Sequence, residues 1–209
     1  LPENMDTIEG ALIEPLAVGF HAANQGGARL GQKAVVMGAG CIGLMTLLAL
    51  KAFGVTEVYV VDVMENRLAK AKELGAAGII NGKEQDAVEE LMRATAGKGM
   101  DLCIDTAGSQ ITMNQCIGAA AKGAAVVFVG YSAQDQVSLD INNALNKELT
   151  FKTVFRYRNL YPLAIEAVSQ GLNVKGVVTD FFKFDDVRKA MDLSVSNKAE
   201  IVKAVLILR

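Results

Sequence analysis

From residue 33 onward, short β-branched runs alternate with longer stretches of helical period, and this alternation constrains the fold more than any other feature. Strands that each lead into a helix and then into another strand build a parallel sheet with helices on both faces. The expected strands are Lys33 to Met37, Glu57 to Val61, Gly78 to Ile80, Leu102 to Ile104 and Ala125 to Val129, with Leu149 to Phe155 as a sixth. They are near-continuous in apolar character, as a sheet covered on both faces demands. Between them, Ile42 to Phe53 is apolar nearly all round and predicts a buried helix. Met64 to Leu74 sets Met64, Leu68, Ala71 and Leu74 on one stripe of another. Gly54 and Gly75 supply their stops. The expected class is α/β, a doubly wound parallel sheet.

Composition narrows the function. The chain has 209 residues, 51% of them hydrophobic, which is enough for one sizeable core. A formal net charge of −2 leaves no cationic excess for a phosphate backbone, so nucleic acid is not an expected partner. Apolar stretches such as Ile42 to Leu50 fall far short of the roughly 20 residues of a membrane-spanning helix, so no membrane partner is expected. Glu3 and Asp6 stand where a secretory leader carries basic charge. Cys41, Cys103 and Cys116 are odd in number and lie in apolar segments without close spacing, which suits small core thiols in a reducing cytoplasm. The chain starts at Leu1 rather than Met, as expected of a fragment.

Chemistry concentrates after the first strand. Gly38-Ala39-Gly40-Cys41-Ile42-Gly43 is a GxGxxG between that strand and the apolar helix. In a dinucleotide site the first glycine makes the tight turn and the second lets backbone approach the pyrophosphate. The third lets helix pack closely on strand, and the phosphates face the helix N-terminus. Asp62 ends the second strand, 19 residues beyond Gly43, where an acid accepts hydrogen bonds from the adenosine ribose. An acid there can equally cap a helix or sit solvated. Together these features predict a Rossmann unit. Val63 and Met64 offer no cation for a 2′-phosphate, and Asp62 would repel one, so NAD is expected over NADP. An S-adenosylmethionine methyltransferase also pairs a glycine loop with an acid. Such enzymes usually carry a further acid just before the glycines, where this chain has Val36-Met37.

The chain resembles the zinc-containing medium-chain dehydrogenases, and within them the sorbitol dehydrogenase-like polyol branch. The resemblance runs over essentially the whole length, from Gly10-Ala11-Leu12-Ile13-Glu14-Pro15-Leu16-Ala17-Val18 through the glycine loop and Asp62. It continues in Asp105-Thr106-Ala107-Gly108, Val129-Gly130 and Val154-Phe155-Arg156-Tyr157-Arg158-Asn159. It implies that Ile42, Asp62 and Arg67, with Gly38, Gly40, Cys41, Gly43 and Thr106 around them, contact NAD. Val129, Gly130 and Tyr131, and then Val154, Phe155 and Arg156, flank the nicotinamide. Glu14, Arg156 and Tyr157 are implied on the catalytic side, Glu14 near the zinc site and the other two near the substrate. Read without the resemblance, Glu14 makes a helix cap or salt bridge equally well, and Arg67 or Arg156 can be a solvated charge. Cys41 stands where many relatives have proline, and Tyr131 where a smaller apolar residue is usual.

The resemblance further implies that 1–16 and 156–209 are pieces of a GroES-like catalytic domain flanking a cofactor domain at 17–155. Within the later piece, Leu160 to Gly171 and Asp185 to Ser194 read as helices and Ala204 to Leu208 as a strand. No metal site is expected in this chain. His21 is the single histidine, in a helix-like stretch that suits a core or capping role, and no Cys/His cluster has zinc spacing. Zinc is expected only in the full-length enzyme, where it would polarise a polyol or alcohol oxygen while hydride passes to NAD. This fragment alone is expected to be inactive, and a stand-alone NAD-binding module is the alternative. A homo-oligomer formed through the cofactor domains is also implied.

Overall fold

The computed structural model describes residues 1–197 and 200–208; of the segment 156–209, Lys198, Ala199 and Arg209 lie outside the described residues. The first helix, α1 (Thr7–Gln25), opens on a capping box in which Asp6 Oδ1 accepts from Glu9 N and Glu9 Oε2 accepts from Asp6 N. It crosses the 16/17 position without a break. Next come β1 (Lys33–Met37), α2 (Cys41–Ala52), β2 (Glu57–Asp62), α3 (Glu65–Glu73), β3 (Gly78–Asn81) and α4 (Ala87–Ala94). Then follow β4 (Met100–Asp105), α5 (Gln110–Ala119), β5 (Ala120–Phe128), α6 (Ile141–Asn146) and β6 (Thr150–Thr153). The chain continues through α7 (Tyr161–Ser169), β7 (Asp180–Lys183), α8 (Val187–Ser196) and β8 (Ala204–Ile207).

Six strands form one parallel sheet in the order β3-β2-β1-β4-β5-β6. The order reverses between β1 and β4, which opens a crevice at the carboxyl ends of those strands. This is the expected Rossmann-like α/β fold. Side chains of β1 alternate between two cores. Ala34 and Val36 join Leu16, Leu44 and Leu47 beneath α1 and α2, whereas Val35 and Met37 join Leu91, Cys103 and Cys116 beneath α4 and α5. Helices α1 and α2 touch backbone to backbone, since a Cβ on Gly19 would fall 2.6 Å from the Met45 carbonyl oxygen. Burial pushes the Cys103 thiol up to about 12 and Cys116 well above its ordinary value, which suits inert core thiols.

The structure differs from expectation mainly at element ends. β5 starts at Ala120 rather than Ala125, because α5 runs straight into it and the pairing shifts register between Met100 and Leu102. The sixth strand is only Thr150–Thr153. It is the sheet edge and every residue in it is exposed, so no apolar pattern marks its limits. The expected helix from Asp185 begins instead as a 3-10 turn, Phe184–Asp186, before α8. Strand β7 was not expected at all. It pairs in parallel with β8 in a separate two-stranded sheet. Among the described residues no helix is long and apolar enough to cross a membrane.

Helix α5 borders the crevice, and its N-terminus is held by Ser109, whose Oγ accepts from Thr112 N at 3.1 Å. Ser109→Ala should therefore cost about 1 kcal/mol of stability. Urea unfolding checks this, and an unchanged midpoint would show that the cap contributes nothing.

Candidate functional site

The glycine loop is shaped by its contacts with three strands. Gly38 has φ +98, and its N–H donates to the Val61 carbonyl at 2.7 Å. A side chain there would press on Thr106 Oγ1, which itself donates to the Met37 carbonyl at 2.9 Å. Gly43 faces back onto the loop, and a Cβ on it would lie 1.8 Å from the Gly38 carbonyl oxygen. Gly40 is different. The nearest atom to a Cβ there is an Arg67 guanidinium nitrogen at 4.0 Å, so the space in front of it is open. Gly40 also caps α2 without any side-chain hydrogen bond. The N-terminus of α2, with no side-chain cap, adjoins that open space, the arrangement in which a helix end attracts an anion.

Asp62 organises the loop as well as facing the crevice. Its Oδ2 accepts from Ala39 N at 2.6 Å, while Oδ1 accepts from Val63 N at 2.7 Å and Met64 N at 2.9 Å. Half-buried at the end of β2, it ties the glycine loop to the start of α3. A cleft of about 480 Å³ runs in front of it, walled by Gly38, Gly40, Asp62, Arg67 and Thr106. Ser109 and Ile111 from the α5 side close that cleft.

A second cleft of about 460 Å³ shares Thr106 with the first and lies toward β5 and β6. Ile42, Val129, Gly130 and Tyr131 form one part of its wall, and Val154, Phe155 and Arg156 another. The Val129–Gly130 turn is fixed by Asp105, whose carbonyl accepts both N–H groups at 2.8 and 3.1 Å. The fully buried Asp105 side chain accepts from Gly108 N at 2.9 Å, and burial raises its pKa. Gly108 and Gly130 interlock so closely that a Cβ on Gly130 would sit 2.3 Å from Gly108 N.

The two clefts thus bring together most of the residues singled out in the sequence. Four stand apart. Glu14 is exposed on α1 and lines neither cleft. Cys41 packs against the core, and burial raises its pKa. Gly43 acts through packing rather than by lining a wall. Tyr157 turns edge-on to Tyr161, ring centroids 4.8 Å apart, and lines a neighbouring hollow instead. His21 is buried in α1, as expected of a core histidine, and burial together with the Arg158 charge lowers its pKa. Ser109 and Ile111 went unremarked in the sequence, and Val18 was named only as the end of a segment carrying the resemblance, without a site role. A cap residue following Asp105-Thr106-Ala107-Gly108 was the available signal for Ser109.

Among the described residues no three His, Cys, Asp or Glu side chains group to hold a metal ion. With Glu14 also exposed, these residues do not form a zinc site, and no chemical step on this chain is derived through one.

The fold and crevice define a Rossmann-like α/β protein of the dehydrogenase type. Residues 41–170 match the family described as zinc-binding dehydrogenase, and the chain belongs to that family. It is 45% identical over 207 residues to the zinc-type alcohol dehydrogenase-like protein YdjJ of Escherichia coli and 34% identical to a sorbitol dehydrogenase of Bacillus subtilis. Each match covers 99% of this chain but 59% of the relative, so the chain spans about three-fifths of their length. Among solved structures, an Escherichia coli oxidoreductase of unknown specificity superposes with a TM-score of 0.95 at 44% identity, covering 100% of this chain and 60% of that one. An Escherichia coli alcohol dehydrogenase complexed with NADH superposes with a TM-score of 0.92 at 28% identity, covering 100% of this chain and 61% of that one.

Proposed function

We propose that this chain binds NAD(H) along the two clefts, as the cofactor-binding part of a zinc-dependent dehydrogenase that acts on a polyol or other secondary alcohol. The observation that carries this reading is the shared wall at Thr106, which joins the cleft holding Gly40 and Asp62 to the apolar one holding Val129 and Val154. A dinucleotide needs a ribose acceptor, an anion site and an apolar slot in that order. Asp62, the open end of α2 and the second cleft supply them. The solved relative that holds NADH supports the same reading.

In this proposal Asp62 accepts the ribose hydroxyls and Arg67 flanks the adenosine. Ile42, Val129 and Val154 keep water from one end of the groove, where Arg156 meets the substrate, and Tyr157 stands in the neighbouring hollow on the substrate side. When bound, the cofactor accepts hydride from the alcohol carbon. Residues 1–16 and 156–209 are read as parts of a second domain, and the isolated β7–β8 pair supports this, since two strands alone are marginally stable. Zinc, with Glu14 near it, belongs to the whole enzyme, which we place in the cytoplasm as a homo-oligomer. By itself this chain binds cofactor without turnover.

Calorimetry tests the cofactor choice. NADH should bind at least tenfold more tightly than NADPH, since a charge-assisted hydrogen bond is worth about 1.5–3 kcal/mol and the 2′-phosphate meets Asp62 as a like charge. Equal or tighter NADPH binding would overturn the assignment.

A further inference from the structure

Across the Phe155–Arg156 backbone from the apolar cleft lies a further hollow of about 570 Å³. Its walls include His21 and Gln25 from α1, and Arg156, Tyr157, Arg158 and Asn159 from the loop after β6. No carboxylate lines it, and among the described residues neither guanidinium pairs with one. Arg156 and Asn159 both hold φ +56, a left-handed backbone that non-glycine residues rarely keep and that tends to mark functional loops. His21 is only 4% exposed, and its Nδ1 is buried without a hydrogen-bond partner. Two cations without a carboxylate partner line this hollow beside a histidine whose Nδ1 makes no hydrogen bond, and a single oxyanion would serve both guanidinium groups.

We propose that this hollow is an oxyanion site for the phosphate of a phosphorylated polyol, whose carbinol end lies in the adjoining apolar cleft. Two unpaired guanidinium groups match the double charge of a phosphate monoester better than the single charge of a carboxylate. Phe155 and Arg156 line both openings, so one short molecule can span them. That placement rests on reading the groove as the cofactor site.

His21 is the only histidine in the chain, so its ring resonances are unambiguous in an NMR spectrum. The 209-residue chain is titrated with glycerol phosphate, inorganic phosphate and glycerol at fixed ionic strength, and NADH binding is followed separately. Glycerol phosphate should move the His21 signal saturably and raise its pKa, with inorganic phosphate weaker and glycerol inert. Exposed Arg158 can be replaced without disturbing the core, and Arg158→Gln should weaken glycerol phosphate binding at least tenfold, about what one charged hydrogen bond contributes. No saturable change, or an unaltered affinity in Arg158→Gln, would overturn the site while leaving the NADH result standing. Equal affinity for inorganic phosphate would remove the ligand from the substrate. Phosphate binding without NADH binding would overturn the groove reading and the placement of the polyol with it.

Discussion

Gly43→Ala should lower stability by about 3 kcal/mol, the upper end for overpacking, because the added methyl meets backbone and not a movable side chain. Its Cβ would lie 1.8 Å from the Gly38 carbonyl oxygen and 3.0 Å from Thr106 Oγ1. Neither side can retreat. Val35, Val36 and Met37 of β1 and Leu44, Met45 and Leu47 of α2 are fully buried, so moving strand or helix disturbs both cores. For a chain of this size the loss corresponds to roughly 6–12 °C in Tm, and the displaced loop should also bind NADH at least tenfold more weakly. Gly40→Ala is the informative partner. Its methyl fits the free protein, with nothing closer than Arg67 at 4.0 Å, yet it fills the space in front of the α2 N-terminus. Stability should therefore stay within about 1 kcal/mol of the original, the ordinary cost of a local glycine change, while NADH affinity falls by a larger factor than in Gly43→Ala. Thermal melts and NADH titrations of both variants check the pair. Unchanged NADH binding by Gly40→Ala would mean that the pyrophosphate does not lie there.

Why the loop was legible and other parts were not follows from where the information sits. Lys33 to Met37 could be read to the residue because a central strand buried on both faces is near-continuously apolar, here from Ala34 to Met37 after the partly exposed Lys33. The turn at Gly38 and the packing at Gly43 each demand glycine for a local reason. By contrast, β6 lies at the sheet edge with all four residues exposed, and its ends are set by pairing with β5. Strand β7 depends on β8, whose pairing residues lie 24 positions later, a dependence that no short window displays. The site divides the same way. Asp62 was evident as an acid at a strand end, but its hold on Ala39 N, 23 residues earlier, exists only in three dimensions. Tyr157 is adjacent to Arg156 in sequence, yet past the left-handed backbone at Arg156 it lines only the neighbouring hollow, whereas Arg156 lines that hollow and the apolar cleft.

That hold makes Asp62 the residue whose loss should do most to cofactor choice. Three N–H groups, of Ala39, Val63 and Met64, donate to its two oxygens, so the carboxylate shapes the loop before any ligand arrives. Asp62→Ala removes both acceptor oxygens, and with them these three hydrogen bonds and the proposed ribose contact. One charged hydrogen bond contributes about 1.5–3 kcal/mol. Losing the ribose contact and slackening the loop should therefore weaken NADH binding by about a hundredfold. NADPH should lose much less, because the same change removes the like charge facing its 2′-phosphate, and the preference between the two should collapse to within roughly threefold. Asp62→Asn separates the contributions. Its amide keeps one oxygen acceptor but turns an NH₂ toward an N–H donor, so part of the loop is restored without the charge. NADH affinity should then fall between the original and Asp62→Ala, while the preference over NADPH is lost as fully as with alanine. Calorimetric titration of both cofactors into both variants decides it. If Asp62→Asn retained the full preference for NADH, charge at this position would not be what excludes the 2′-phosphate, and the choice of NAD would have to come from elsewhere in the groove.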